Sequence, residues 1–225
     1  MRNFLLAASL LGLGTPSFAA MVDDPLYASF MMDRLEIRDD SGHPVAWEST
    51  LRAGKDLDKL YINSEGETQE GDTESENQLL YSRALSPFWD LQLGAGYDRN
   101  GDSEQFWGIV ALQGLAPYFF ETRLDLLVGS KGALGVRFET EYDALLTQKL
   151  ILTPRLEGDL YSKENEKMDR GSGLSSLSLG LRLRYEFVRE FSPYLGAEWE
   201  KSFGNTAKYN DVNDLRLLAG LRFWF

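Results

Sequence analysis

The sequence predicts an all-β protein: a transmembrane antiparallel β-barrel of about twelve strands with a polar, charged lumen. Apolar and polar residues alternate with period two along most of the chain. The alternating segments are mostly about 9–14 residues long, whereas ordinary strands run about five or six and a tilted bilayer-crossing strand needs about 9–11. The connections between the segments fall into a short class and a longer, more polar class. Strict alternation marks a strand with two unlike faces. Strand length and connection asymmetry then favour a barrel in a membrane over a strand in water.

The chain opens "MRNFLLAASLLGLGTPSFAA". One basic residue, Arg2, precedes an apolar run from Phe4 to Leu13, and Ser17 and Ala19 are small residues placed for cleavage after Ala19. This is the pattern of a secretory signal peptide over 1–19; the apolar run is too short for a membrane anchor. Residues 20–29 are expected to be a short periplasmic lead-in, and 30–225 the barrel.

Twelve strands are expected at roughly 30–38, 45–54, 58–68, 75–85, 88–99, 104–115, 119–129, 133–146, 149–161, 174–188, 192–203 and 214–225. The clearest is "LSLGLRLRYEF", with Leu177, Leu179, Leu181, Leu183, Tyr185 and Phe187 on one face and Gly180, Arg182, Arg184 and Glu186 on the other. "LGVRFETEYDA" sets Leu134, Val136, Phe138 and Tyr142 against Arg137, Glu139, Glu141 and Asp143. "LTPRLEGDLY" sets Leu152, Leu156 and Leu160 against Arg155, Glu157 and Asp159. "FETRLDLLV" sets Phe120, Leu124, Leu126 and Val128 against Glu121, Arg123 and Asp125. The final "LRLLAGLRFWF" alternates up to an aromatic carboxyl terminus, with Arg216 and Arg222 on the polar parity and Leu218 and Trp224 as exceptions.

The stretches "LSPF" (85–88), "LAPY" (115–118), "TQK" (147–149) and "FSPY" (191–194) read as tight turns, because proline fixes φ and cannot continue a ladder. "DDSGHP", "GETQEGDTES", "RNGDS", "SKENEKMDRGSG" and "GNTAKYNDVN" read as looser loops. Short periplasmic turns and longer extracellular loops are the habit of outer-membrane barrels. That phase puts both termini in the periplasm, with Phe88, Trp89, Tyr118, Phe119 and Tyr194 in the periplasmic-side aromatic girdle.

In lipid every backbone polar group needs a partner, so the sheet must close. An arginine turned to the lipid midplane costs roughly 2–4 kcal/mol, which sends the charged parity inward. The expected lumen therefore carries Glu121, Asp125, Arg137, Glu139, Glu141, Arg155, Glu157, Asp159, Arg182, Arg184, Glu186, Glu198, Glu200, Arg216 and Arg222. Opposite charges on neighbouring strands can pair across the ladder. Such a lumen reads either as a salt-bridged plug or as a cation pathway lined by surplus carboxylates. A soluble sandwich or lipocalin-like barrel, apolar face inward, is the competing architecture.

The mature chain is acidic, because the excess of Asp and Glu over Lys and Arg persists once Arg2 is removed, and this argues against nucleic acid as a partner. Zero cysteines exclude a disulfide framework and a thiolate metal site. A catalytic role is not expected: a barrel hydrolase needs a nucleophile with a base, and the only histidine, His43, lies in "DSGHP" as a loop residue.

"DRLEIR" (33–38), "AGKDLDKLYINSEGE" (53–67), "LLYSRALSPFWDLQLGAGYD" (79–98), "QGLAPYFFE" (113–121), "EYDALLTQKLILTPRLE" (141–157), "GSGLSSLSLGLRLRYEFVREFSPYLGAEWEKSFGNTA" (171–207) and "GLRFWF" (220–225) together resemble the copper resistance protein B family of outer-membrane proteins. The resemblance covers nearly all of the mature chain, in order. It implies a single outer-membrane barrel in periplasmic copper handling, with outer-membrane lipid, copper ions and a periplasmic copper protein as partners. Members of that family often carry a Met- and His-rich segment ahead of the barrel; here "AMVDDPLYASFMMDR" stands in its place. Soft thioethers suit Cu(I). Of the adjacent Met31 and Met32, parity with Arg34 and Glu36 points Met32 inward as the metal candidate. Met168 reads as a loop bystander. The terminal Phe225, with the alternation before it, reads as the signal for outer-membrane assembly.

Overall fold

A computed structural model describes residues 25–40 and 42–225; the signal-peptide expectation lies outside them. The strands are β1 (Tyr27–Arg38), β2 (Val45–Gly54), β3 (Asp58–Gln69), β4 (Asp72–Ser86), β5 (Trp89–Asn100), β6 (Ser103–Ala116), β7 (Phe120–Gly129), β8 (Leu134–Glu141), β9 (Ala144–Leu145), β10 (Leu150–Tyr161), β11 (Gly173–Tyr185), β12 (Phe191–Ser202) and β13 (Asn213–Trp224). Consecutive spans pair antiparallel, and β13 returns to pair with β1. The sheet has no free edge, as a membrane barrel requires.

β8 and β9 are one span interrupted at Tyr142 and Asp143, so twelve spans make the wall. The interruption faces Pro154 of β10, which has no N–H to donate to the ladder; the Tyr142 N–H instead donates to the Pro154 carbonyl at 3.1 Å. At the closing seam the Phe30 and Phe225 backbones exchange two hydrogen bonds, of 2.9 and 3.0 Å. The Phe225 ring packs at a tilt against that of Phe30, with centroids 5.3 Å apart. The start of β1 and the carboxyl terminus thus share one end of the barrel, here the terminal end; the other is the loop end.

The apolar parity faces outward. Leu79, Val110, Leu126, Leu134, Leu179, Leu181, Leu183, Leu195, Leu215 and Leu217 are all exposed, while Glu36, Asp98, Asp125, Arg155 and Arg182 are buried inside. A barrel in water has the opposite arrangement, so the soluble sandwich or lipocalin reading is set aside. Inside, Tyr61, Leu80, Trp107, Ile109, Ala111, Leu127 and Tyr161, from β3, β4, β6, β7 and β10, pack as a small apolar cluster. No helix among the described residues is long and apolar enough to cross a membrane, which leaves crossing to the strands.

Several local expectations are corrected. "GETQEGDTES" and "RNGDS" are not loose loops: β3 runs on to Gln69 and β4 starts at Asp72, leaving Glu70 and Gly71 as a two-residue turn with φ of 50° and 101°. β5 and β6 likewise leave only Gly101 and Asp102. Long connections remain only at 162–172 and 203–212. "FSPY" is not a turn but the start of β12; the turn is 186–190. Phe191 to Pro193 pair with β13 alone, and pairing to β11 begins at Tyr194, so the missing proline donor faces no second strand.

Tyr194 is consequently not a girdle residue. It is buried, and its hydroxyl donates to Glu36 Oε1 at 3.0 Å. Gly220 lies opposite it on β13, where a Cβ would come within 2.6 Å of the tyrosine ring. Only glycine there lets the ring lie inside the wall. Phe88, Tyr118 and Phe119 are exposed at the terminal end, as expected of a girdle.

Candidate functional site: a charged and braced lumen

A β-bulge organises the first strand. The register of β1 shifts between Met32 and Arg34 against β2 and between Met32 and Leu35 against β13. A bulge adds one residue and reverses the facing of everything before it. Met31, Asp33 and Arg34 therefore line the lumen together. This corrects the metal candidate: Met31, not Met32, lines the cavity, and Met31 Sδ lies 3.7 Å from Arg222 Nη2.

The bulge also allows Arg34 to reach across. Its Nε donates to Glu48 Oε2 of β2 at 2.6 Å and its Nη1 to Glu157 Oε1 of β10 at 3.2 Å. Arg155 of β10 reaches back, Nη1 to Glu48 Oε2 at 2.9 Å and Nη2 to Glu139 Oε1 of β8 at 2.9 Å, and it also pairs with Glu157. β2 and β10 are five spans apart around the ring. These five side chains form a bar across the middle of the lumen.

A second network braces the β1–β12 side. Arg182 Nε donates to Glu36 Oε1 at 2.6 Å and its Nη2 to Glu198 Oε2 at 2.7 Å. Arg38 pairs with Glu198 at 3.1 Å and Glu67 at 2.6 Å. Glu36 is fully buried, so each of these arginines offsets a large desolvation cost. Gly196 makes room for the stacked side chains: a Cβ there would sit 2.8 Å from Leu218 and 3.0 Å from Arg182.

A third network closes the loop end. Arg137 of β8 pairs with Glu76 of β4 at 2.5 Å and Asp98 of β5 at 2.7 Å. Arg170, from the loop after β10, pairs with the same two carboxylates at 2.8 and 2.7 Å. Asp98 also accepts from Trp107 Nε1 at 2.7 Å. Hairpin register explains why carboxylates meet here. Glu48, Glu65, Glu76 and Asp98 stand directly opposite one another on β2, β3, β4 and β5. Like charges in register repel, and the arginines reaching from the far wall offset that repulsion for Glu48, Glu76 and Asp98.

A cavity of about 470 Å³ runs along the lumen, with all five bar residues in its lining. Glu121, Glu139, Glu141, Glu157 and Asp159 line it, with Arg137, Arg155, Arg182, Arg184 and Arg222. Glu121 and Glu141 are in register on β7 and β8. Arg222 pairs with Asp33 at 3.1 Å and Arg184 with Asp143 at 2.7 Å. Carboxylates outnumber arginines on this lining. Toward the loop end, Arg216 pairs with Glu200 at 3.1 Å and Asp40 at 3.0 Å.

One expected lumen residue is elsewhere. Glu186 follows the last residue of β11 and belongs to the 186–190 turn. Its N–H donates to the Lys149 carbonyl at 2.8 Å. Sequence reasoning missed Asp33, Glu48, Glu65, Glu76, Asp98 and Arg170 as lumen residues. The first needs the bulge, the next four need the hairpin registers, and Arg170 needs an inward-folded loop. Met168 is no bystander either: it is buried in a short 3-10 turn (Glu166–Met168) of that loop.

The donor set speaks to metals. Among the described residues no three His, Cys, Asp or Glu side chains converge to hold an ion. His43 lies in the turn between β1 and β2 with φ of 47°. The lumen offers hard carboxylate oxygens and one thioether, Met31, a set that suits Cu(II) or hydrated cations over Cu(I).

Comparison with known proteins agrees with this architecture. Residues 26–225 match the family model described as copper resistance protein B precursor (CopB). Copper resistance protein B of Escherichia coli is 40% identical over 213 residues, spanning 92% of this chain and 72% of that protein. The copper resistance protein B homolog of Pseudomonas syringae pv. tomato is 40% identical over 210 residues, spanning 90% and 71%. Among solved structures, the NanC porin superposes with a TM-score of 0.58 at 10% identity, covering 88% of this chain and 99% of NanC. The KdgM porin gives 0.55 at 12%, covering 88% and 99%. The outer membrane phospholipase A of Escherichia coli gives 0.51 at 11%, covering 87% and 89%. These last likenesses establish the fold: a closed twelve-span outer-membrane barrel. The chain belongs to the copper resistance protein B family.

Proposed function

We propose that this barrel serves copper tolerance at the bacterial outer membrane by giving copper ions, as cargo, a cation-selective route through its lumen. The observation that carries the reading is the lining of the 470 Å³ cavity, where carboxylates exceed arginines while the outer wall is apolar. A narrow path lined by surplus carboxylates favours cations. Family membership supplies copper as the cargo, since two relatives at 40% identity are named for copper resistance. The terminal end faces the periplasm and the long loops face outside, in the habit of outer-membrane barrels. A periplasmic copper protein then meets the terminal end, and no catalytic step is assigned. Phe225, paired to Phe30 at the seam, serves as the assembly signal.

The second reading is a structural or anchoring barrel whose lumen is permanently plugged. It is favoured by the bar of Arg34, Glu48, Glu139, Arg155 and Glu157, which ties opposite walls together. Growth on copper separates the two. A deletion strain should lose tolerance, the wild-type gene should restore it, and the Glu139→Gln, Glu157→Gln double variant should restore it incompletely with a folded barrel. Full restoration by that variant favours the plug.

A further inference from the structure

Loop 162–172 is one of the two long connections. Its tip is closed on itself: the Asn165 N–H donates to the Arg170 carbonyl at 2.7 Å and the Arg170 N–H to the Asn165 carbonyl at 3.1 Å. Asp169, at φ 50°, turns the chain back so that Arg170 enters the barrel mouth. Asp is among the residues that tolerate this left-handed conformation. The tip therefore forms a small closed unit.

The flanks of the loop are held by their backbone, the Ser162 N–H donating to the Leu134 carbonyl at 2.8 Å and the Gly171 N–H to Thr206 Oγ1 at 2.9 Å, whereas the tip is held on the wall through side chains. Asn165 Nδ2 donates to Gln105 Oε1 at 2.9 Å, and Asn100 Nδ2 donates to Asp169 Oδ2 at 3.1 Å. The guanidinium of Arg170 supplies the strongest contacts. It pairs with Glu76 and Asp98, and it lies 4.9 Å over the centroid of the Tyr161 ring. Two carboxylates and an aromatic face make a general acceptor for a cation. Here the occupant is the chain's own cation, on a loop that leaves β10 through the exposed Ser162 and Lys163 and rejoins β11 at Gly173, whose φ is 96°.

We propose that loop 162–172 is a latch over the loop end of the lumen, with Arg170 a tethered stand-in for an incoming cation at the Glu76–Asp98–Tyr161 site. When the tip lifts, Glu76 and Asp98 lose their tethered cation and are open to one entering from the loop end. Arg137 stays on them and keeps the wall paired. The proposal rests on the cation-route reading and names how that route is gated. Closure needs no global change, because the tip carries no strand of the sheet.

The test uses the full chain, which contains no native cysteine to interfere. Gln105→Cys with Asn165→Cys places a cystine between the loop tip and β6. Potassium conductance is measured in planar bilayers before and after reduction on the same protein, alongside Arg170→Met and the wild type, with heat-modifiable gel mobility confirming folded barrels. The latch predicts that conductance is lost in the oxidised form, returns on reduction, and rises above wild type in Arg170→Met. Equal conductance in oxidised and reduced forms, with Arg170→Met behaving as wild type, overturns it. Copper tolerance of the same variants is read separately. Conductance that follows the latch while tolerance does not upholds the latch and refutes copper as the cargo.

Discussion

The lumen contains two arginine-centred crossings that resemble each other in charge and differ in attachment. In the middle, Arg155 and Arg34 join Glu48, Glu139 and Glu157, and all five side chains stand on strands. At the loop end, Arg137 and Arg170 join Glu76 and Asp98, but Arg170 comes from a loop. Strand-borne residues are fixed by the ladders on both sides. A loop residue is fixed by the contacts it makes itself. The same ion-pair chemistry is therefore a brace in one place and a removable contact in the other.

The largest expected effect follows from breaking the brace. Arg155→Ala removes a buried cation and leaves the half-buried Glu139 without its partner, while Arg34 still holds Glu48 and Glu157, a loss of about 3 kcal/mol. Urea titration of the folded barrel in detergent measures it; a loss below about 1 kcal/mol, the worth of an exposed pair, would show that the bar is solvated and not structural. Next comes the outer wall as a reference. Leu181 is exposed on β11, between Gly180 and the inward Arg182. Leu181→Arg should cost roughly 2–4 kcal/mol in a bilayer, seen as reduced insertion, whereas normal insertion would place that surface outside the lipid belt.

A smaller effect is expected from neutralising two carboxylates while keeping Glu48 as partner to both arginines. Glu139→Gln with Glu157→Gln should keep heat-modifiable mobility and lower the preference for cations over anions in bilayer recordings. Unchanged selectivity would move the filter away from the bar. Smallest of all is the methionine pair. Met31→Leu should weaken copper tolerance slightly and Met32→Leu should not, because the bulge turns Met31 inward. The opposite ranking, read from growth on copper, would restore the simple parity of the strand.

What the sequence disclosed depended on whether a feature was local. The alternation in "LSLGLRLRYEF", "LTPRLEGDLY" and "LRLLAGLRFWF" is intrinsic to each strand, and Arg155, Arg182, Arg184, Arg216 and Arg222 lie inside as it implies. The β1 bulge has no residue signature, so period-two parity alone points Met32 inward, whereas the bulge turns Met31 there. The row Glu48, Glu65, Glu76 and Asp98 appears only when the tight turns fix the registers, and those turns sit in stretches polar enough to resemble long loops. Proline in "FSPY" suggested a turn because sequence alone does not say which neighbour strand is missing at that height. Arg170 meets Glu76 across 94 residues of chain, a pairing that no window can contain.

The most direct test of the brace and latch is a paired measurement on Arg170→Ala and Arg155→Ala. Unfolding free energy in urea and potassium conductance in planar bilayers are recorded for both against wild type. The account predicts that Arg170→Ala raises conductance and costs only about 1 kcal/mol of stability, the net worth of an ordinary contact, because Arg137 stays paired with both Glu76 and Asp98. Arg155→Ala should lose several times that. Equal losses of stability in the two variants, with no rise in conductance for Arg170→Ala, would contradict it.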